Sequence, residues 1–142
     1  MVKETESLKS GLAKLPEFLS LQDVDMLNEG RHPNPFGVLG PHKSKNRRWV
    51  VTLQPDAISV IAIVGTKKTE LLRIGGDVFA APVAGAGYNL TVQYANGSTY
   101  TTIDPFAMSS VLSDFDAYLL GEGTHRELWR VLGAHVCTHE KV

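Results

Sequence analysis

The feature that most constrains this fold is an alternation of apolar and polar residues between residues 47 and 103, interrupted by Gly, Pro and Asp-containing turns. Alternation with a period of two predicts strands that bury one face, and turns about every eight to twelve residues are typical of a sandwich or barrel. No helical pattern separates the strands, so we expect antiparallel neighbours. The sequence predicts an antiparallel, mainly β sandwich with six strands at residues 47–53, 58–64, 70–74, 78–82, 88–95 and 98–103.

A hairpin is predicted around Asn96-Gly97, because this dipeptide tolerates the positive φ that both central residues of a type I′ turn need. In that register Gln93 faces Tyr100, and Asn89 lies on the same polar face. The flat ring of Tyr100 can then stack on a sugar while the two amides meet its hydroxyls. The alternative is that Tyr100 only shields the cross-strand backbone.

Three segments carry helix-start signals, in which Ser or Thr is followed by an acidic residue three positions later and then by apolar residues at helical spacing. These helices are predicted to begin at Ser20, Ser113 and Thr124 and to end near Gly30, Gly121 and Gly133. The last two helices have apolar faces, with Tyr118 and Trp129, that are large for a terminal extension, so we expect these helices to pack on the sandwich or on a further domain. No internal repeat stands out.

The chain of 142 residues is long enough to bury one modest core. We expect a partly ordered tail over residues 1–19, a helix and sandwich over 20–111, and a helical linker over 112–142. Fourteen Lys and Arg balance fifteen Asp and Glu, so nothing favours nucleic acid or an anionic membrane as a partner. The single cysteine, Cys137, and the absence of a signal-like opening predict a cytoplasmic location.

Enzymatic motifs such as a phosphate-binding glycine loop, a His-Glu-x-x-His metal pair or a Gly-x-Ser-x-Gly nucleophile turn do not occur in the sequence, and we predict no cofactor. His135 and His139 stand four residues apart, a spacing that can hold a metal on a helix, but coincidence near the end of the chain is the favoured interpretation and we predict no metal site. A basic run precedes the first predicted strand and is interpreted as a solvated loop, with a phosphate-bearing partner as the alternative: Lys43, Lys45, Arg47 and Arg48. Trp49 alternates with apolar strand residues, so we predict that it belongs to the core.

Four segments, in order, resemble the first module of bacterial 1,4-α-glucan branching enzymes, which belong to the α-amylase superfamily. They are residues 30–42 (GRHPNPFGVLGPH), Asp104-Pro105-Phe106, residues 113–125 (SDFDAYLLGEGTH) and Leu132-Gly133-Ala134-His135. The resemblance covers roughly residues 20–135 and implies an immunoglobulin-like β-sandwich with short flanking helices at both ends.

The resemblance implies a parent enzyme that cleaves an α-1,4 linkage of a glucan, holds the chain on a carboxylate and transfers it to a 6-hydroxyl, which makes an α-1,6 branch in glycogen biosynthesis. In that family the catalytic residues lie on a later barrel, preceded by a second carbohydrate-binding sandwich. We therefore expect no catalytic residues here, and a fragment that is inactive alone. Expected partners are α-glucan and the enzyme's own carbohydrate-binding and catalytic domains.

For the module itself, the resemblance implies an accessory role in which it helps to bind or orient α-1,4-glucan, with Tyr100, Gln93 and Asn89 as candidate contacts. The alternative is a structural spacer or interaction module that packs on sister domains without touching sugar. Four residues of the last segment are predicted to lie at a junction between domains: Tyr118, His125, Trp129 and His135.

Overall fold

The computed structural model describes residues 15–85 and 87–136, which divide into two units, Met1–Met108 and Ser109–Val142. Among these residues, no helix is long and apolar enough to cross a membrane. The first unit is mainly β, as predicted, and all of its strand pairs are antiparallel. Its strands are β1 (Gly40–Ser44), β2 (Arg47–Leu53), β3 (Ala57–Val64), β4 (Lys67–Gly75), β5 (Val78–Pro82), β6 (Asn89–Tyr94) and β7 (Thr99–Ile103).

The strands form a curled sheet in the order β1-β2-β5-β4-β3-β6-β7. Strand β4 connects the two halves, because its first part pairs with β3 and its second part, from Leu72, pairs with β5. Between the halves lies a cluster of buried side chains that includes Val50, Val60, Phe79 and Leu90, none more than 1% exposed. This arrangement confirms the immunoglobulin-like β-sandwich.

A second apolar cluster covers the outer face of the β1-β2-β5-β4 half. Helix α1 (Leu21–Asn28) buries Val24 and Leu27 there, and the turn that follows adds Val38 and Leu39. Ser20 begins the helix with a capping box to Asp23, as predicted. The β1-β2-β5-β4 half of the sheet is therefore covered by apolar side chains on both faces, which explains why β5 is buried along nearly its whole length.

Strand β1 and its hairpin are a correction to the sequence prediction, because the basic run was interpreted as a loop. Lys45 and Asn46 have φ of 47° and 60° and form a two-residue turn between Ser44 and Arg47, which pair. Two consecutive positive φ values are the signature of a type I′ turn. The basic side chains therefore project from a hairpin at the edge of the sheet.

The turn predicted at Asn96-Gly97 is also different. Only Gly97 has positive φ, at 83°, and its N–H donates to the Tyr94 carbonyl at 3.0 Å. The loop thus has three residues, with Gly97 in the left-handed position that often follows a type I turn. The extra residue shifts the register by one, so that Tyr100 pairs with Val92 and not with Gln93.

The second unit contains helix α2 (Asp114–Gly121), whose Ser113 cap and Asp116 box confirm that helix start. The third predicted helix is wrong: only a 3₁₀ turn, Leu128–Arg130, forms there. The predicted cap at Thr124 would accept the Glu127 N–H. That N–H donates instead to His125 Nδ1, at 3.1 Å. Predictions for residues 1–14, Cys137 and His139 lie outside the described residues.

Candidate functional site

The register of β6 and β7 decides which candidate sugar contacts can act together. Tyr100 lies opposite Val92, so its ring is on the face of β6 that carries Leu90 and Val92. Asn89 and Gln93 point to the other face. Tyr100 is 60% exposed at the edge strand, but the three predicted contacts do not share one surface.

The face that carries Asn89 and Gln93 is a strip of hydroxyls and amides. Ser59 donates to the Gln93 amide oxygen at 3.2 Å, and the hydroxyls of Thr91 and Thr101 lie 2.9 Å apart. These groups can accept and donate hydrogen bonds at a flat surface. The predicted residues there are polar and accessible, without the ring that stacking requires.

A groove of about 710 Å³ opens on the outer face of the β1-β2-β5-β4 half. Half-buried Trp49 lies along it with the apolar side chains of Leu72 and Ile74, and Lys45 at its rim pairs with Glu17 at 2.6 Å. Trp49 also packs against the outer apolar cluster, so its predicted core role is confirmed in part. Sequence reasoning missed the groove because it missed β1, which forms one wall.

The Asp104-Pro105-Phe106 motif closes the sandwich. Asp104 is 1% exposed, accepts a hydrogen bond from the Tyr88 hydroxyl, and caps a 3₁₀ turn by accepting the Phe106 N–H at 2.9 Å. Burial, with the nearby carboxylate, raises the pKa of Tyr88. The motif is therefore a buried hydrogen-bonded anchor, and the ring of Phe106 packs on Phe36 with centroids 4.8 Å apart.

In the second unit, three side chains form a compact network. Asp116 accepts from the Ser113 hydroxyl at 2.5 Å and lies 2.8 Å from His125 Nε2, and its own N–H donates to Ser113 at 3.1 Å. Because His125 Nδ1 accepts the Glu127 N–H, Nε2 carries the hydrogen and donates to Asp116. Hydrogen bonds from Ser113 first and His125 second lower the pKa of Asp116 to about 2.

The four predicted junction residues differ in accessibility. The His125 side chain is 7% exposed and acts within its unit by holding Asp116. Tyr118 and Trp129 are 61% and 67% exposed, and His135 is also exposed. Among these four residues, the accessible apolar surface therefore comes from the two aromatic rings, while the role of all four at a junction stays a prediction. Within the described ranges, no three His, Cys, Asp or Glu side chains cluster as metal ligands.

The fold is that of an immunoglobulin-like β-sandwich module, which is followed along the chain by a small helical unit. Residues 20–106 match the family of the alpha-1,4-glucan branching enzyme GlgB, N-terminal domain, and the chain belongs to that family. This confirms the resemblance to the first module of bacterial branching enzymes.

Proteins named 1,4-alpha-glucan branching enzyme GlgB are similar to most of the chain. The protein from Thermobifida fusca is 40% identical over 119 residues, which is 81% of this chain and 16% of the relative. Those from Rubrobacter xylanophilus and Mycobacterium tuberculosis are 41% and 32% identical, over 75% and 84% of this chain and 15% and 17% of theirs. The chain thus spans less than a fifth of the length of these relatives.

Proposed function

We propose that this chain is an accessory module that helps a glycogen branching enzyme to bind or orient α-1,4-glucan, and that the whole protein makes α-1,6 branches in the cytoplasm. Membership of the branching-enzyme family over residues 20–106 is the observation that carries this proposal. The cleavage and transfer of the glucan chain, which need a pair of carboxylates, would take place on other domains of that protein. The cytoplasmic location stays a prediction.

A glucan contact on the module would act by raising the local concentration of a long polymer near the active site, without adding to the chemical step. Tyr100 is the best-placed ring for such a contact, because it is exposed on an edge strand and sugar faces stack on flat rings. The amide strip at Asn89 and Gln93 would be a separate, weaker contact on the opposite face of the strands.

Titration of the 142-residue chain with maltoheptaose, followed by NMR chemical shifts, tests this proposal. We expect shifts at β7 amides that Tyr100→Ala reduces at least threefold. Tyr118→Ala is the matched control, because Tyr118 is equally exposed but lies in the other unit. Chemical shift changes that persist in Tyr100→Ala would show that the sugar binds elsewhere. Trp49→Ala would then test whether it binds in the groove.

The second candidate function is a structural spacer that packs on sister domains and never touches sugar. The observation that favours it is the exposed apolar surface of the second unit, where Phe115, Tyr118 and Trp129 are each more than 60% exposed. The same titration separates the two candidates, since a spacer shows no shift with maltoheptaose or glycogen at millimolar sugar.

A further inference from the structure

The chain contains an internal repeat, and strands β2 to β7 lie between its two copies. Residues 20–42 and 113–135 align without gaps at an offset of 93 residues. Ten of the 23 aligned positions are identical, and in the first copy they are Ser20, Asp23, Leu27, Glu29, Gly30, His32, Val38, Leu39, Gly40 and His42. We call the two segments the first and second leader. The prediction that the chain has no repeat was wrong.

The backbones of the two leaders follow the same path. Each begins with a Ser-Asp capping box on an eight-residue helix, and each helix is followed by a glycine at nearly the same φ, +67° for Gly30 and +68° for Gly123. Each then makes a 3₁₀ turn, after which a matched N–H donates back to the start of the turn: Leu39 to the Pro35 carbonyl at 2.8 Å, and Leu132 to the Leu128 carbonyl at 2.7 Å. The correspondence extends from the capping serines to Leu39 and Leu132.

The side-chain network is repeated as well. His32 lies 3.1 Å from Asp23 and accepts the Asn34 N–H at 3.1 Å, as His125 does with its own partners. The His32 side chain is 8% exposed, against 7% for His125. Each leader is therefore held in shape by its own Ser, Asp and His.

The first leader has a visible task, because it covers the outer face of a β-sandwich and then enters its first strand. Val24, Leu27, Val38 and Leu39 are all less than 7% exposed in the outer apolar cluster. Immediately afterwards, Gly40 begins β1. The leader thus docks on the sandwich that follows it in the chain.

The second leader buries the same positions less completely. Leu120 and Val131 are half-buried and Leu132 is 47% exposed, where Leu27, Val38 and Leu39 are buried.

The glycines agree with this contrast. A Cβ on Gly40 would lie 2.5 Å from the Phe106 carbonyl oxygen, whereas one on Gly133 would meet nothing within 4 Å. The second leader has the form of the first without the surface that the first covers.

We infer that the second leader docks, through Leu120, Val131 and Leu132, on the outer face of a second β-sandwich whose first strand begins at Gly133. The relatives extend far beyond the matched region, so they have room for that module. Trp129 stands where Phe36 contacts Phe106, so the module should offer an aromatic or apolar side chain to Trp129. This docking does not depend on glucan binding.

Hydrogen exchange followed by mass spectrometry tests the docking without sugar. The 142-residue chain is compared with a fusion in which it replaces the matched segment of the Thermobifida fusca relative and is followed by the rest of that protein. We expect peptides spanning residues 119–132 to exchange at least tenfold more slowly in the fusion. Leu132→Asp should abolish that protection, and Leu72→Asp, at a leucine that is 55% exposed in the first unit, should preserve it.

Equal exchange in the chain and the fusion, or protection that survives Leu132→Asp, would overturn the inference. Protection of the unfused chain that grows with its own concentration would also overturn it, since a second copy would then be the occupant. If the fusion does not fold, the downstream part of the relative is added as a separate polypeptide to the 142-residue chain. The same slowing, sensitive to Leu132→Asp, is expected there, and its absence counts against the docking.

Discussion

The first and second leaders have the same local structure but opposite environments. Both are fixed by a serine cap, an aspartate and a histidine that bond to each other and to the backbone. Only the first buries its apolar side chains. The difference teaches that capping and turn chemistry determine the path of such a segment, whereas the packing surface determines how much its apolar residues contribute to stability.

The largest expected difference comes from truncating the matched leucines. Leu39→Ala removes a side chain that is 2% exposed, so we expect it to lower the free energy of unfolding by about 2–5 kcal/mol. Leu132→Ala, at a position 47% exposed, should change it by less than about 0.5 kcal/mol. Urea denaturation of the 142-residue chain measures both. Similar losses would mean that the second leader is already packed.

The matched glycines should differ next. Gly40→Ala combines a positive φ with a Cβ only 2.5 Å from the Phe106 carbonyl, which together should cost about 3 kcal/mol. Gly133→Ala has only the backbone strain and lies outside the sandwich, so the urea midpoint should stay unchanged. An unchanged midpoint for Gly40→Ala would show that β1 moves away from Phe106 at little cost.

The caps provide a smaller contrast. Ser20→Ala removes an N-cap from a helix that packs on the sandwich, and should cost about 1 kcal/mol of global stability. Ser113→Ala removes an equal cap, but its effect should appear only as faster exchange of α2 amides. Ser→Asn at either position retains a capping oxygen and serves as the control. A loss of global stability in Ser113→Ala would contradict this, because it would show that the two units unfold together.

The smallest effect concerns pH. Hydrogen bonds from Ser113 and His125 lower the pKa of Asp116 from 3.8 to about 2, so folding of the second leader favours the ionised form of Asp116. The network is therefore complete above about pH 4 and is lost as the pH falls towards 2. NMR titration of the Asp116 carboxyl carbon should give a midpoint near 2 that Ser113→Ala raises. A midpoint near 3.8 in the unsubstituted chain would mean that the network does not form in solution.

Much of the sandwich could be predicted, because alternation reports burial directly. Residues 47–53 and 78–82 were predicted at their observed bounds. Strand β1 was missed because Pro41, His42 and Lys43 lack alternation, and its turn at Lys45-Asn46 has no glycine to mark it.

The Asn96-Gly97 turn was located correctly, but the dipeptide does not determine whether the loop has two or three residues. That one-residue shift separated Tyr100 from Gln93 and Asn89, and the candidate site was therefore harder to predict than the fold.

The repeat was the least predictable feature, because its ten identities are scattered and its two copies differ in hydrophobicity. Val24 and Pro35 in the first leader correspond to Ala117 and Leu128 in the second. Only the hydrogen-bonded geometry made the equivalence evident. The signal that could have revealed it is the spacing of Ser, Asp, Gly and His, since those residues determine the local path.

Native-state hydrogen exchange of the Leu39 and Leu132 amides in the 142-residue chain tests most directly whether equal local structure carries unequal burial. Both N–H groups make equivalent hydrogen bonds, at 2.8 and 2.7 Å. We predict that the Leu39 amide exchanges only through global unfolding, as slowly as the core amide of Val60, and that the Leu132 amide exchanges on the order of 100-fold faster through local opening. Equal protection of the two amides would contradict the contrast between the leaders.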